Sequence, residues 1–391
     1  MKNDKKSYIN YILALSLSLT AGILMIILPG EVLSATKYGI DLWLNNVLPA
    51  LLPFFICAKI MTRLGVSKLI GRLLEPVMRP IFRVPGEASF VFAVSITSGY
   101  PIGTKLISEM RRQKIITKNE AERMLSFCST SGPLFILGAV GVGMFGNTSL
   151  GWSILISHFL GAILNGLLFR FYGKPGHSHP KRKSFTMVFK EAKEESRGSQ
   201  PFIIFLGEAI FDSFKTLLLI CGYIVLFSII IALFEKYSLF VLFTKIFFLE
   251  NQQKLFSSLF QGFFEMTVGC SAVSQIQNIS FIYSSLICSA IVSWGGLSTL
   301  AQALTFISQT DIHKGLYTVS KISHALCAFS CAFFIAPLML KYQNAVSHVF
   351  NIPNTIISSS FSYKLLFSTK LMLLVIFLFI ITAILSQFME K

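Results

Sequence analysis

The sequence predicts an all-α polytopic membrane protein of about eight transmembrane helices and two re-entrant hairpins, arranged as an inverted structural repeat with broken helices. Three observations carry this reading. Hydrophobic residues make up 53% of the 391-residue chain against 13% charged, and the mean hydropathy is +0.68, outside the range of soluble globular domains. The apolar stretches are long rather than short and alternating; a backbone that finds no water in the bilayer bonds to itself, here as helices rather than barrel strands. Two further stretches are apolar yet interrupted near their centres by Gly, Pro and Ser.

Full-length apolar segments fall at 8–30, 38–62, 124–145, 150–172, 213–235, 281–307, 316–340 and 369–388, each near the roughly 20 residues that span a bilayer. The first follows Lys2, Lys5 and Lys6 and precedes "LSA" (33–35). It is too long for an ordinary signal h-region, so it reads as a retained helix rather than a signal peptide. The interrupted stretches are 88–108 and 254–275. Around the first, Arg63, Lys68, Arg72, Arg79 and Arg83 lie before and Arg111, Arg112, Lys114, Lys118 and Arg123 after. Cytoplasmic loops concentrate Lys and Arg, so both flanks lie on one side and a hairpin fits where a single crossing does not. With the N-terminus cytoplasmic, the loop at 173–200, bearing "PKRK", also falls inside, and only Lys37, Lys236, Lys245, Lys254, Lys341, Lys364 and Lys370 fall outside.

An internal repeat organises these segments. "ISHFLGA" (156–162) recurs as "ISHALCA" (322–328), an offset of 166 that also places Gly103 on Gly269, Ser108 on Ser274, Phe90 on Phe256 and Leu150 on Leu316. Each unit holds one crossing, one hairpin and two further crossings; three crossings is odd, so the copies are inverted. The resulting organisation is an N-terminal helix (1–37), a first repeat (38–172), a basic cytoplasmic loop with an interfacial helix (173–212), a second repeat (213–340), and a linker with a C-terminal helix (341–391). Inverted repeats with broken segments in corresponding positions are the architecture of secondary transporters that bind substrate near the midplane.

The breaks carry the candidate chemistry, because they free backbone N–H and C=O groups at membrane depth. "TSGYPIG" (97–103) pairs with "EMTVGCS" (265–271), and "STSGP" (129–133) with "GGLST" (295–299). The candidate substrate-binding residues are Ser98, Gly99, Tyr100 and Gly103; Ser129, Thr130, Ser131 and Gly132; Gly269 and Ser271; and Gly295, Gly296, Ser298 and Gln302. A helix beginning after "STSGP" has three hydroxyls as capping candidates, a Pro suited to its first turn, and free N–H groups that favour an anion. A half-helix begun at Tyr100–Gly103 supplies a second set of donors. Small residues also permit close helix packing, the competing reading for any single break. Charged and titratable groups at membrane depth give four coupling candidates: Glu265, Lys105, His158 and His324. "TKNE" (117–120) is a capping box, and 68–83 is amphipathic and basic, suiting an interfacial helix.

Other classes find no support. The net charge of +16 is spread over loops rather than gathered in a basic, aromatic-bearing domain, so no nucleic-acid partner is implied. All seven cysteines lie in apolar segments without ligand spacing, implying neither disulfides nor a metal. No Walker motif, catalytic ordering or metal-binding His pair appears, so the chain reads as a non-enzyme without a cofactor, its partners the lipid bilayer and a small-molecule anion.

The block "RVPGEASFVFAVSITSGYPIGTKLISEMRRQKIITKNEAERMLSFCSTSGPLFILGAVGVGMFG" (83–146), with "GGLSTLAQAL" (295–304) and the following "TDIHKG", closely resembles the sporulation integral membrane protein family of endospore-forming bacteria. The resemblance covers about 42–340 and is specific in its first block. It implies a relative of the gate domains of nucleoside transporters, so the two repeats are expected to be gate-like. It further implies movement of dipicolinic acid out of the mother cell across the outer forespore membrane. That substrate, a flat ring with two carboxylates, suits two facing half-helix N-termini and an aromatic neighbour. The polar pattern of "EMTVGCSAVSQ" departs from the family, so Glu265 and Ser271 are not carried over from it. Alternatives are a nucleoside or other organic-solute carrier and a non-transporting scaffold for spore assembly.

Overall fold

The computed structural model describes residues 25–64, 78–173, 201–237 and 253–341, with a few isolated positions elsewhere. No strand occurs among the described residues. Helix α1 (Pro29–Leu42) starts with Pro in its first turn, where the missing N–H costs nothing. It passes through a π-helical turn (Trp43–Val47) into α2 (Leu48–Arg63), which has Pro53 in its interior. Proline removes a backbone donor and crowds the preceding turn, and here the axis bends by 57°.

The first interrupted stretch forms α3 (Glu87–Ser98) and α4 (Ile102–Arg112), separated by Gly99, Tyr100 and Pro101. Helix α5 (Lys118–Cys128) begins with the capping box: Thr117 accepts from the Glu120 N–H, and the Glu120 carboxylate accepts from the Thr117 N–H at 2.8 Å. The chain is then non-helical over 129–132 before a π-helical segment (Phe135–Met144) and α6 (Thr148–Phe169), which is N-capped by Asn147. The second part of the chain runs through α7 (Phe202–Lys236), α8 (Gln253–Phe264), α9 (Met266–Ser274), α10 (Phe281–Trp294), α11 (Gly296–Ile307) and α12 (Lys314–Lys341).

Among the described residues four helical stretches are long and apolar enough to cross a membrane: α6, α7, α10 with α11, and α12; the bent α1–α2 pair makes a fifth. Three sequence expectations change. The stretch 124–145 is not one helix, because α5 ends at Cys128 and the chain resumes helical winding only beyond Gly132. No side chain caps the π-helical segment, although Ser129, Thr130 and Ser131 stand before it. Helix α7 starts at Phe202, well before 213; at 1.5 Å per residue its 35 residues reach about 52 Å, longer than a bilayer core. The expected crossing at 369–388, about half of 8–30 and of 68–83, and most of 173–200 lie outside the described residues.

Helix packing relies on small and hydroxyl residues, as expected where lipid offers no hydrophobic drive between helices. Helix α6 crosses α12 at Gly161, where a Cβ would meet the Ala328 backbone at 2.7 Å. Beside this crossing, Ser153 and Ser285 join α6 to α10 at 2.7 Å, and Asn165 donates to the carbonyls of Ser126 and Ser320 at 2.7 and 2.9 Å. Outward faces are apolar: Leu160, Leu164 and Leu168 on α6, and Leu326, Phe333 and Phe334 on α12, are exposed, suiting contact with acyl chains.

Candidate functional site

The interruptions converge. At the first break Gly99 has φ +69 and ψ −165, a region essentially restricted to glycine. A Cβ there would stand 2.7 Å from the Gly132 nitrogen, so the break after α3 touches the break after α5. The second part of the chain shows the same contact between its two breaks. Gly296, at φ +80, lies so close to the α8–α9 junction that a Cβ would meet the Glu265 Cα at 3.0 Å.

Both meeting points open onto one crevice of about 630 Å³, its mouth included, within the range of small-molecule sites. Thr97, Ser98, Gly99 and Tyr100 line it from the first break, and Ser131 and Gly132 from the next. Glu265, Met266 and Thr267 face them, with Ser298, Thr299 and Gln302 from the first turns of α11. Val47, Leu51 and Phe55 of α1–α2 and Ile220, Tyr223 and Ile224 of α7 close the apolar side. Its unobstructed interior is about 50 Å³, room for a few waters.

The two poles of the crevice differ in charge. Glu265, 3% exposed, is the N-cap of α9: its carboxylate accepts from the Val268 N–H at 2.7 Å and the Thr267 hydroxyl at 3.1 Å. At the other pole Pro101, the N-cap of α4, offers no side-chain cap. Behind Tyr100 lies Lys321 of α12, 2% exposed, whose ammonium donates to the Tyr100 hydroxyl and to the Ser129 carbonyl at 3.1 Å. The Tyr100 ring covers it, 4.4 Å from nitrogen to centroid, a cation–π contact.

Of the residues proposed from sequence, Ser98, Gly99, Tyr100, Ser131, Gly132, Glu265, Ser298 and Gln302 line the crevice. The others serve packing or lie aside. Gly103 sits against Ser95 and the Cys128 carbonyl and Gly269 against the Gly262 backbone, closing the two hairpins. Ser129 bonds Tyr317 at 2.8 Å, the Thr130 hydroxyl is buried without a partner, and Ser271 accepts from Tyr38 at 3.1 Å. Gly295, at φ +84, caps α10. Lys105 is exposed.

His158 and His324 brace the site. The Ser131 N–H donates to His158 Nε2 at 3.0 Å, so the ring proton sits on Nδ1 and reaches Ser293 Oγ at 2.7 Å. His324 Nε2 donates to the His158 carbonyl at 3.0 Å.

Sequence reasoning missed Lys321 and the apolar wall. Lys321 lies only seven positions into α12, where a lysine ordinarily snorkels to the headgroups. Its spacing to Tyr317, Ser320 and His324 puts it on the inward stripe instead.

A wider, more polar vestibule of about 1320 Å³, mouth included, lies between α1, α7, α8 and α9, lined by Tyr38, Glu235, Lys254 and Gln275 among others. Elsewhere the end of α4 is tied to the loop before α12: Arg111 makes a two-point ion pair with Asp311 at 2.8 and 2.9 Å. Among the described residues no group of three or more His, Cys, Asp or Glu is placed to hold a metal.

Comparison with known proteins adds the lineage. Residues 44–148, from the bent first pair into the start of α6, match the Gate family, described as nucleoside recognition. Over 365 residues, covering 89% of this chain and 88% of the relative, the sequence is 34% identical to the sporulation integral membrane protein YlbJ of Bacillus subtilis (strain 168). The chain belongs to the YlbJ family of sporulation integral membrane proteins. No solved structure matches it. In this YlbJ-family chain the Gate match contains the Gly99 and Gly132 breaks but not Glu265 or Lys321, so the crevice joins matched and unmatched halves.

Proposed function

We propose that this chain is a secondary-type carrier that binds an organic anion in the crevice and moves it by alternating access. The supporting observation is the meeting of two breaks at each pole of one crevice, Gly99 with Gly132 and Glu265 with Gly296. Regularly spaced landmarks support an inverted repeat. The bounds of α3 and α8 differ by the 166 residues that separate His158 from His324, and α5 and α10 end 166 apart. On this reading each half contributes one crossing, one hairpin from its own side, and two further crossings, completed by crossings at 8–30 and 369–388, with the N-terminus cytoplasmic.

The substrate we propose is dipicolinic acid, carried from the mother cell across the outer forespore membrane. Sporulation membership supports this, as does a crevice that pairs hydroxyls and free helix N-termini with a tyrosine ring. The Gate description favours a second reading, a nucleoside carrier. Uptake of labelled dipicolinate by proteoliposomes holding the purified chain, with unlabelled uridine as competitor, separates them. Saturable uptake that uridine leaves unchanged supports the first reading, and uridine uptake in its place supports the second. Folded protein that moves neither speaks for a non-transporting role in spore assembly.

A further inference from the structure

We infer that Lys321 is the buried basic group against which one carboxylate of the transported anion binds, with Tyr100 covering it while the crevice is empty. This rests on the carrier reading and names the group that recognises its substrate.

The ammonium is buried on α12 among Tyr317, Ser320 and His324. It has three N–H donors, and the structure pairs two, with the Tyr100 hydroxyl and the Ser129 carbonyl. Among the described residues no carboxylate forms an ion pair with it. A buried charge in a membrane protein is retained where a partner offsets its lost hydration. A neutral hydroxyl, one carbonyl and a ring face offset it only in part, leaving an anion-sized deficit.

Tyr100 separates this charge from the crevice: its ring is both crevice wall and Lys321 cover. Its hydroxyl accepts from Lys321 and lies 3.4 Å from the Val292 and Ser293 carbonyls. Rotation of the ring out of the wall uncovers the ammonium and enlarges an interior that at about 50 Å³ is too narrow for an aromatic acid. One further feature points the same way: the crevice's own carboxyl group, Glu265, is already engaged at the opposite pole by Val268, Thr267 and Ser298. An anion therefore lies with a carboxylate toward Tyr100 and Lys321 and its remainder in the crevice. The ligand class is a small carboxylic acid in its anionic form; neutral amides and nucleosides lack the group that Lys321 requires.

The test compares wild type, Lys321→Met and Lys321→Arg in proteoliposomes, with pyridine-2,6-dicarboxylate as labelled solute and pyridine-2,6-dicarboxamide as neutral competitor. Thermal unfolding of the purified proteins with each compound gives a readout independent of transport. Lys321→Met should raise KM about tenfold or more, the effect of losing one charge-assisted contact, and abolish protection by the dicarboxylate. Lys321→Arg should recover part of both, and the diamide should neither compete nor protect. Lys321→Gln, which keeps a donor, stands in if the Met variant does not fold and should show the same loss. Lys321→Met uptake at wild-type KM, or equal protection of wild type by diacid and diamide, overturns the site while leaving the carrier intact. Folded wild type that neither transports nor is protected by the dicarboxylate overturns both.

Discussion

The break between α3 and α4 and the break between α8 and α9 solve the same problem by opposite means. Each ends one short helix and begins another at the crevice, leaving N–H groups that need an acceptor. At the second break the chain supplies it: Glu265 is the N-cap of α9, and its carboxylate accepts from the Val268 N–H. At the first break the corresponding residue is Gly99, and no side chain caps α4. One half carries its own carboxyl cap and the other lacks one. The difference is what leads us to propose a substrate carboxylate at the first half, where a buried lysine stands behind Tyr100.

The hairpin closures should not share this asymmetry, and they give the largest expected effects. Gly103→Ala would put a Cβ 2.1 Å from the Cys128 carbonyl oxygen, and Gly269→Ala would put one 2.2 Å from the Gly262 Cα. Neither neighbour is a movable side chain, so each variant should lose about 3 kcal/mol or more. Thermal unfolding in detergent should show them equally damaged; one unharmed would mean the two hairpins are not built alike.

Exchange of the breaks comes next. Gly99→Glu places the second half's acid in the first half, but at φ +69 and against the Gly132 backbone it should lose about 1–3 kcal/mol in the same assay. At the other break, Glu265→Ala should cost about 1 kcal/mol through the lost cap, whereas Glu265→Gln keeps an acceptor for the Val268 N–H and should melt near wild type. An equal loss in the Gln and Ala variants would show that charge, not capping, holds α9.

The smallest effect belongs to the Arg111–Asp311 pair, whose side chains are 24% and 53% exposed. Exposed pairs contribute about 0–1 kcal/mol, so Asp311→Asn should shift melting little, and less in high salt. The Arg111 guanidinium holds the Asp311 carboxyl below its usual value of 3.8. The pair's contribution is therefore complete above that value and is lost as pH falls through the lowered one. Melting of wild type and Asp311→Asn should keep a constant difference between pH 5 and 8; a difference that collapses inside that window would refute the assignment.

Local grammar made much of this fold legible. The Gly and Pro of "SGYPIG", the capping box at Thr117 and Glu120, and the paired glycines at 295 and 296 each mark an end where the structure has one. What sequence could not show was direction. Gly99 and Gly103 stand four apart, yet one opens on the crevice and the other closes a hairpin, because that depends on which neighbour each helix face meets. Lys321 was hidden for the same reason: near a helix end, burial is decided by tertiary packing rather than hydropathy. The π-helical winding of 135–144 has no mark in composition that separates it from an ordinary apolar helix.

Uptake by Gly132→Ala, set against Gly222→Ala, tests the central claim most directly. A Cβ at Gly132 meets nothing closer than 3.6 Å, so the variant should fold, yet it intrudes on the crevice where the two first-half breaks touch. A Cβ at Gly222 of α7 meets nothing within 4 Å and lies outside the crevice lining. Dipicolinate uptake should fall about tenfold in Gly132→Ala, a loss of about 1.4 kcal/mol, and stay at the wild-type rate in Gly222→Ala. Equal rates in both folded variants would contradict a substrate path through this crevice.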